Sequence, residues 1–277
     1  MENMDAAVIV TDITKGRIME LIITIIVCLL AGLGAGLGTG FAGMSAAVVI
    51  TPVLVTFLDM PAYSAIGIAL ASDVLASGVS AYTYHKNKNL DIKNGLVMML
   101  VILIFTLVGS FIASFMPNSA MGGTSVFMTT LMGIKFILKP VNTTKEAMAS
   151  VEPKKRFVQS VLGGIGIGFI CGFVGAGGGM MMLMVLTMVL GYELKTAVGT
   201  SVFIMTFTAL TGAISHFVID SHTPDLLVLI LCVLFTFIFA RIGAVIANKV
   251  SAKTLNRATG IILVLLGVSV MGIGALI

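Results

Sequence analysis

The sequence predicts an all-α, polytopic membrane protein made of two inverted repeats of about five segments each. Three observations lead there. The first is composition: 58% of the 277 residues are hydrophobic and 10% charged, against about 25% charged in soluble domains, and mean hydropathy is +1.14. An ordinary soluble domain is excluded. The second is where the charge is missing. Residues 21–58, 94–134 and 157–192 contain no Asp, Glu, Lys or Arg. One span needs about 20 residues, and each run drawn out as one helix would be roughly 55–60 Å long. Each must therefore turn back inside or at the edge of the bilayer.

The third observation is duplication. A gapless shift of 132 residues lays Gly32, Gly34, Gly36, Gly40, Phe41 and Gly43 on Gly164, Gly166, Gly168, Gly172, Phe173 and Gly175. It then lays Val53, Leu54 and Leu58 on Val185, Leu186 and Leu190, and Ser64–Gly67 on Thr196–Gly199. Internal repeats of this kind mark secondary transporters.

Ten apolar segments follow in order: 18–43, 45–58, 62–85, 93–115, 119–138, 156–175, 178–190, 194–218, 224–248 and 253–276. Eight are long enough to span. The segments 45–58 and 178–190 are too short and read as half-helices or re-entrant pieces. The polar connector 140–154 divides the chain into a first repeat, 1–139, and a second, 155–277. The uncharged run 94–134 reads as a pair of spans turned at Pro117. Basic connections mark the cytoplasmic side: Lys86, Lys88 and Lys93; Lys139, Lys145, Lys154, Lys155 and Arg156; Lys249, Lys253 and Arg257. Met116–Ser119 is uncharged and Asp220–Asp225 only acidic, which places both outside. Each half then crosses an odd number of times, so the repeats are oppositely oriented and both termini lie outside.

The net charge of +4 belongs to these flanking residues, so the expected partners are the bilayer and a small substrate, with no nucleic acid. Cys28, Cys171 and Cys232 sit far apart in apolar stretches without metal-ligand spacing, and neither metal nor cofactor is expected. The 19 methionines, Met180–Met182 among them, read as core filler.

Chemistry concentrates at two glycine clusters. Gly43, Met44 and Ser45 end one segment and begin a short one; Gly175, Gly177, Gly178 and Gly179 do the same in the second half. A half-helix beginning there aims free N–H groups and its positive end at the break, and an anion is the natural occupant. The competing reading is tight helix packing; it is favoured for the spaced Gly32/34/36 and Gly164/166/168, and the break for Gly177–Gly179. Asp73, in the middle of the third segment, is a candidate proton carrier, or else a buried acid satisfied by neighbours. Arg241 either grips a substrate oxyanion or snorkels. Thr200, Ser201 and Ser72 either donate hydroxyls to substrate or bond their own helices.

The two Gly-rich breaks, Pro52-Val53-Leu54 after the first and Ala197-Val198-Gly199-Thr200-Ser201 after the second, resemble the sulfite exporter TauE/SafE family. The resemblance spans residue 20 to the end. Departures are Gly43-Met44-Ser45-Ala46 in place of a glycine run, and Met184 at the position that repeats Pro52. What the resemblance implies is a transporter, not an enzyme, of small sulfur-containing anions such as sulfite, thiosulfate or sulfoacetate, coupled to protons and set in a bacterial inner membrane. Residue chemistry alone reaches a transporter of an anion. An anion channel and, remotely, an intramembrane protease using Ser45 and His216 are the other classes.

Overall fold

The computed structural model describes residues 2–113, 124–174, 178–219 and 224–274, with side chains from residue 16 onward except beside the gaps and at a few isolated positions. Every described element is a helix: α1 (Glu2–Ala42), α2 (Ala47–Leu58), α3 (Ala62–Lys86), α4 (Ile92–Ala113), α5 (Thr124–Leu138), α6 (Lys145–Ala149), α7 (Pro153–Val174), α8 (Gly178–Met184), α9 (Leu194–Ile219), α10 (Leu226–Lys249) and α11 (Ala252–Gly274). A π-helical turn, Val185–Val189, prolongs α8. Among the described residues, four helices are long and apolar enough to cross a membrane: Gly16–Ala42, Ala62–Lys86, Leu194–Ile214 and Leu226–Lys249. The expected turn at Pro117 lies outside the described residues. Large apolar side chains point outward, including Leu100, Ile104, Leu107, Ile230 and Leu265. For a solvent of lipid tails this is the right surface.

The helices begin and end for local reasons. α1 stops where Gly43 takes φ +61°, a backbone region that favours glycine. α10 starts on Asp225, whose carboxylate accepts from Leu227 and Val228 N–H at 2.9 and 3.2 Å, a conventional N-cap. The two short helices finish alike. After α2, Asp59 has φ 50° and Met60 N–H donates to Leu54 O at 3.4 Å. After α8 and its π turn, Gly191 has φ +65° and Tyr192 N–H donates to Leu186 O at 2.9 Å. Positions 54, 59 and 60 become 186, 191 and 192 under the same 132-residue shift, so one turn is built twice.

Packing is set by glycine. α1 lies along α10, α4 along α7, α3 along both α9 and α10, and α5 along α11. Going down α1, Gly32 meets Phe235, Gly36 meets Thr236 and Ala240, and Gly40 meets Ala240 and Ala244. Contacts advance together, so α1 and α10 run parallel. Likewise Gly164 meets Met98 and Val101, and Gly168 meets Ile102 and Phe105, which makes α4 and α7 parallel. In α3 and α9 the order reverses: Leu70 faces Gly212, Ser77 faces Thr206 and Tyr84 faces Gly199. α5 and α11 are also antiparallel, with Thr130 at Gly267 and Ile137 at Gly260. Lipid supplies no hydrophobic drive between helices, so close van der Waals contact has to hold them together. The spaced glycines of both halves thus serve packing, with Gly166 the exception, facing nothing within 4 Å.

The connector 140–154 is tied down. Thr144 caps α6 by accepting from Ala147 N–H at 3.2 Å. Val141 exchanges two hydrogen bonds with the Asn256 amide on α11, at 2.7 and 3.0 Å.

A Cβ at Gly36 would stand 2.7 Å from Thr236 O. Gly36→Leu should cost about 1–3 kcal/mol of overpacking, visible as a lower thermal midpoint in detergent. Gly166→Ala should leave that midpoint unchanged.

Candidate substrate site at the helix breaks

The last carbonyls of a helix have no intrahelical donor, and inside a bilayer no water replaces it. At the end of α1 hydroxyls do. Tyr84 on α3 donates to Gly40 O at 2.9 Å, Thr259 on α11 to Phe41 O at 3.2 Å, and Ser201 on α9 to Gly43 O at 3.1 Å. Thr39 donates onward to Met44 O at 2.8 Å as well as back to Ala35 O at 2.9 Å. Three helices therefore converge on one break, and each bond contributes about 0.5–1.5 kcal/mol net.

On the other side of the break, Ser45 accepts from Ala47 N–H at 3.3 Å, as a capping residue does, and donates to Asp73 Oδ2 at 2.7 Å. Asp73 is 1% exposed, and its Oδ1 has no hydrogen-bond partner. The second break arrives at the same place. A Cβ on Gly179 would stand 2.5 Å from Gly43 O, 2.6 Å from Met205 Sδ and 3.0 Å from Ser45 N. Only glycine lets α8 begin there. Met205 occupies the position that the 132-residue shift assigns to Asp73, so one break has a carboxyl and its counterpart a thioether. Among the described residues no Lys or Arg is buried.

The predicted site residues divide accordingly. Gly43, Met44, Ser45, Asp73, Gly178, Gly179 and Ser201 come together; Gly175 and Gly177 lie outside the described residues. Ser72 is buried and donates to Ile68 O at 2.8 Å. Thr200 accepts from Asp91 N–H at 3.1 Å and serves the start of α4. Arg241 is exposed on α10. Sequence reasoning overlooked Tyr84, Thr259, Thr39 and Met205. Tyr84 alone had a signal, lying eleven residues beyond Asp73 and hence on its helix face.

A second polar cluster lies where α3 passes to α4 and α8 to α9. Tyr192 donates to Asp91 Oδ2 at 2.8 Å, and Asn94 to the same oxygen at 2.7 Å. Burial, then the Asp91 charge, push the Tyr192 phenol well above its usual range, which keeps it a donor. Asn89 bonds Asn248 at 2.6 Å, and Lys195 donates to the carbonyls of Asn248 and Val250 at 3.0 and 2.7 Å, where a cation suits a helix C-terminus.

A polytopic helical bundle in which two interrupted segments meet beside a buried carboxyl has the architecture of a broken-helix membrane transporter. The family model described as Sulfite exporter TauE/SafE matches residues 28–270, and the chain belongs to that family. It is similar to "Probable membrane transporter protein YunE" of Bacillus subtilis (strain 168), with 29% identity over 81% of this chain and 89% of the relative. It is similar too to "Probable membrane transporter protein YdhB" of the same organism, at 22% over 79% and 88%. A third relative is "Probable membrane transporter protein MJ0441" of Methanocaldococcus jannaschii, at 24% over 73% and 77%. No solved structure matches. The chain is a multi-pass membrane transporter with a small-molecule substrate.

Two outcomes follow from the geometry. Gly179→Ala should wedge the breaks apart and cut transport roughly tenfold or more, as ångström-scale misplacement of site groups does; transport equal to wild type would mean the contact is dispensable. Tyr192→Phe should cost about 1 kcal/mol by the loss of one hydrogen bond, measured as a lower thermal midpoint, and leave transport close to wild type.

Proposed function

We propose that this transporter moves a small sulfur-containing anion (sulfite, thiosulfate or an organosulfonate such as sulfoacetate) together with a proton, by alternating access around the two breaks. The observation that carries this reading is the Ser45–Asp73 pair at the start of α2, against which α8 begins. Helix N-termini favour negative charge, and Ser201 and Ser45 add hydroxyls. With no buried Lys or Arg among the described residues, the resident negative charge at this point is the Asp73 carboxylate itself. A substrate anion would have to share the place with it, and two like charges at one desolvated point repel strongly. A proton arriving on Asp73 removes the conflict, so anion and proton travel together.

The helix directions support an inverted repeat. The shift equates α1 with α7, α3 with α9, α4 with α10 and α5 with α11. Exchanging the repeats turns the α1–α10 pair into α7–α4, both parallel. It returns α3–α9 and α5–α11 to themselves, both antiparallel, as a two-fold axis in the membrane plane requires. Such symmetry offers two equivalent arrangements around a fixed site, facing opposite sides. The break at Gly43 and Gly179 would be that site, with Thr200, Ser72 and Arg241 outside its first contacts.

Proteoliposomes carrying the protein and an imposed pH gradient test this with sulfite, thiosulfate, sulfoacetate, taurine and sulfur-free anions. Accumulation of a sulfur anion against its gradient, driven by ΔpH, is the expected result. Flow that only equilibrates would mean a channel. Asp73→Asn should abolish the pH-driven component while binding of the transported anion persists; full ΔpH-driven accumulation in that variant would remove Asp73 from the mechanism.

A further inference from the structure

Asp73, Ser77, Ser80 and Tyr84 occupy one stripe of α3. Their spacings of four, three and four residues keep them within about 60° of one another around the helix. All four are buried, at 1% exposure or less. The stripe descends about 16 Å from Asp73 to Tyr84 at 1.5 Å per residue and ends beside Asn89, which is 5% exposed and bonded to Asn248 at the close of α10.

The hydroxyls on this helix are not equivalent. Ser72, Ser77 and Thr83 each donate back to a carbonyl four residues earlier, to Ile68, Asp73 and Val79, the usual resting place of a hydroxyl in a membrane helix. Ser77 also accepts from Thr206 on α9 at 3.3 Å. Ser80, fully buried, has no partner. Polar atoms without partners bracket it: Asp73 Oδ1 above and Asn89 Oδ1 below. Thr236 Oγ1 on α10, the helix packed against both α1 and α3, is likewise buried and unpartnered. Buried polar groups ordinarily find partners in protein or ordered water, and water needs two to four polar groups around it.

We propose that Ser80 is the relay of a proton path that connects Asp73, through water held along the α3 stripe, with the Asn89–Asn248 end of the bundle. In each transfer a water hands a proton to Ser80 Oγ while the Ser80 O–H proton passes to the next water, so the hydroxyl is unchanged and one proton advances. Asp73 Oδ1 is the terminus that takes or releases it. The proposal rests on the reading of Asp73 as proton carrier and adds the route by which it is served.

Few other ionisable groups face the stripe. α2 contributes none; α1 carries Glu2, Asp5, Asp12, Lys15, Arg17 and Glu20 in its first half and Cys28 beyond them, α10 carries Cys232, Arg241 and Lys249, and α9 carries Lys195 and His216 at its two ends. Arg241 and Lys249 are exposed. Glu193, just before α9, is buried and accepts from the Thr196 N–H and hydroxyl. The transmitted proton therefore has one carboxyl destination within the stripe.

The test needs no substrate. Purified protein in detergent is given a rapid pH jump in weakly buffered indicator dye, and proton uptake is followed by stopped flow. Wild type and Asp73→Asn define the component that belongs to Asp73. Ser80→Ala should slow that component about tenfold or more with its amplitude intact, and the slowed phase should show an altered solvent isotope effect in D2O. Ser80→Thr, which restores a hydroxyl, should recover the rate. Thermal midpoints of both variants report folding, and Ser80→Cys replaces Ser80→Ala if the alanine variant does not fold. An unchanged rate in the variant without a hydroxyl overturns the path. A component that survives Asp73→Asn overturns the proton role of Asp73 instead, so the two failures are distinct.

Discussion

A backbone that leaves its helical ladder inside a membrane must find donors for its free carbonyls within the protein. Here that requirement falls on the end of α1, and four hydroxyls meet it: Tyr84 on Gly40 O, Thr259 on Phe41 O, Ser201 on Gly43 O and Thr39 on Met44 O. Those bonds reach into α3, α9 and α11, so the place of the break determines how three other helices must sit. α2 can then start just after Ser45, Asp73 can reach Ser45, and α8 can begin against Gly43. The polar chemistry of the site is a by-product of an interrupted helix that has been made affordable.

Close glycine packing makes that convergence possible. Gly32, Gly36 and Gly40 let α1 approach the α10 backbone so nearly that any Cβ would collide, and Gly168 does the same for α7 on α4, with Gly164 in tight contact beside it. These pairs are parallel rods bound along their length. The α3–α9 contact between them adds hydroxyl bridges such as Thr206 to Ser77. Tight seams flank a more polar middle, and the breaks lie at that middle.

Much of the fold was legible in the residues. The uncharged runs required turns; Gly43 marks where α1 ends and Gly178 where α8 begins; the short helices fall within two residues of the segments predicted from apolar length. The site was only half legible. Ser45 and Asp73 are both polar in apolar surroundings, but their pairing joins different segments across 28 positions, and no spacing rule reaches that far. Thr200 and Ser201 show the limit most sharply: adjacent hydroxyls sit about 100° apart on a helix, and only Ser201 faces the break. Arg241 lies apart from the break by the same geometry, since its helix phase points it outward. Tyr84 and Thr259 went unnoticed because their partners are backbone carbonyls, which sequence patterns do not display.

The mismatch between Asp73 and Met205 at equivalent positions has an electrical meaning. A symmetric pair of carboxyls would give the paired breaks two titratable charges; the thioether leaves one. Once that carboxyl is neutralised, the break has no formal charge of its own, and what crosses the field is only the charge of the cargo. Voltage does work in proportion to charge moved, about 2.3 kcal/mol per elementary charge per 100 mV. Under the proposed coupling the emptied site has given up that proton and returns as the carboxylate, so for a monoanion the loaded and the empty steps move equal charge in opposite directions and the cycle does no net electrical work.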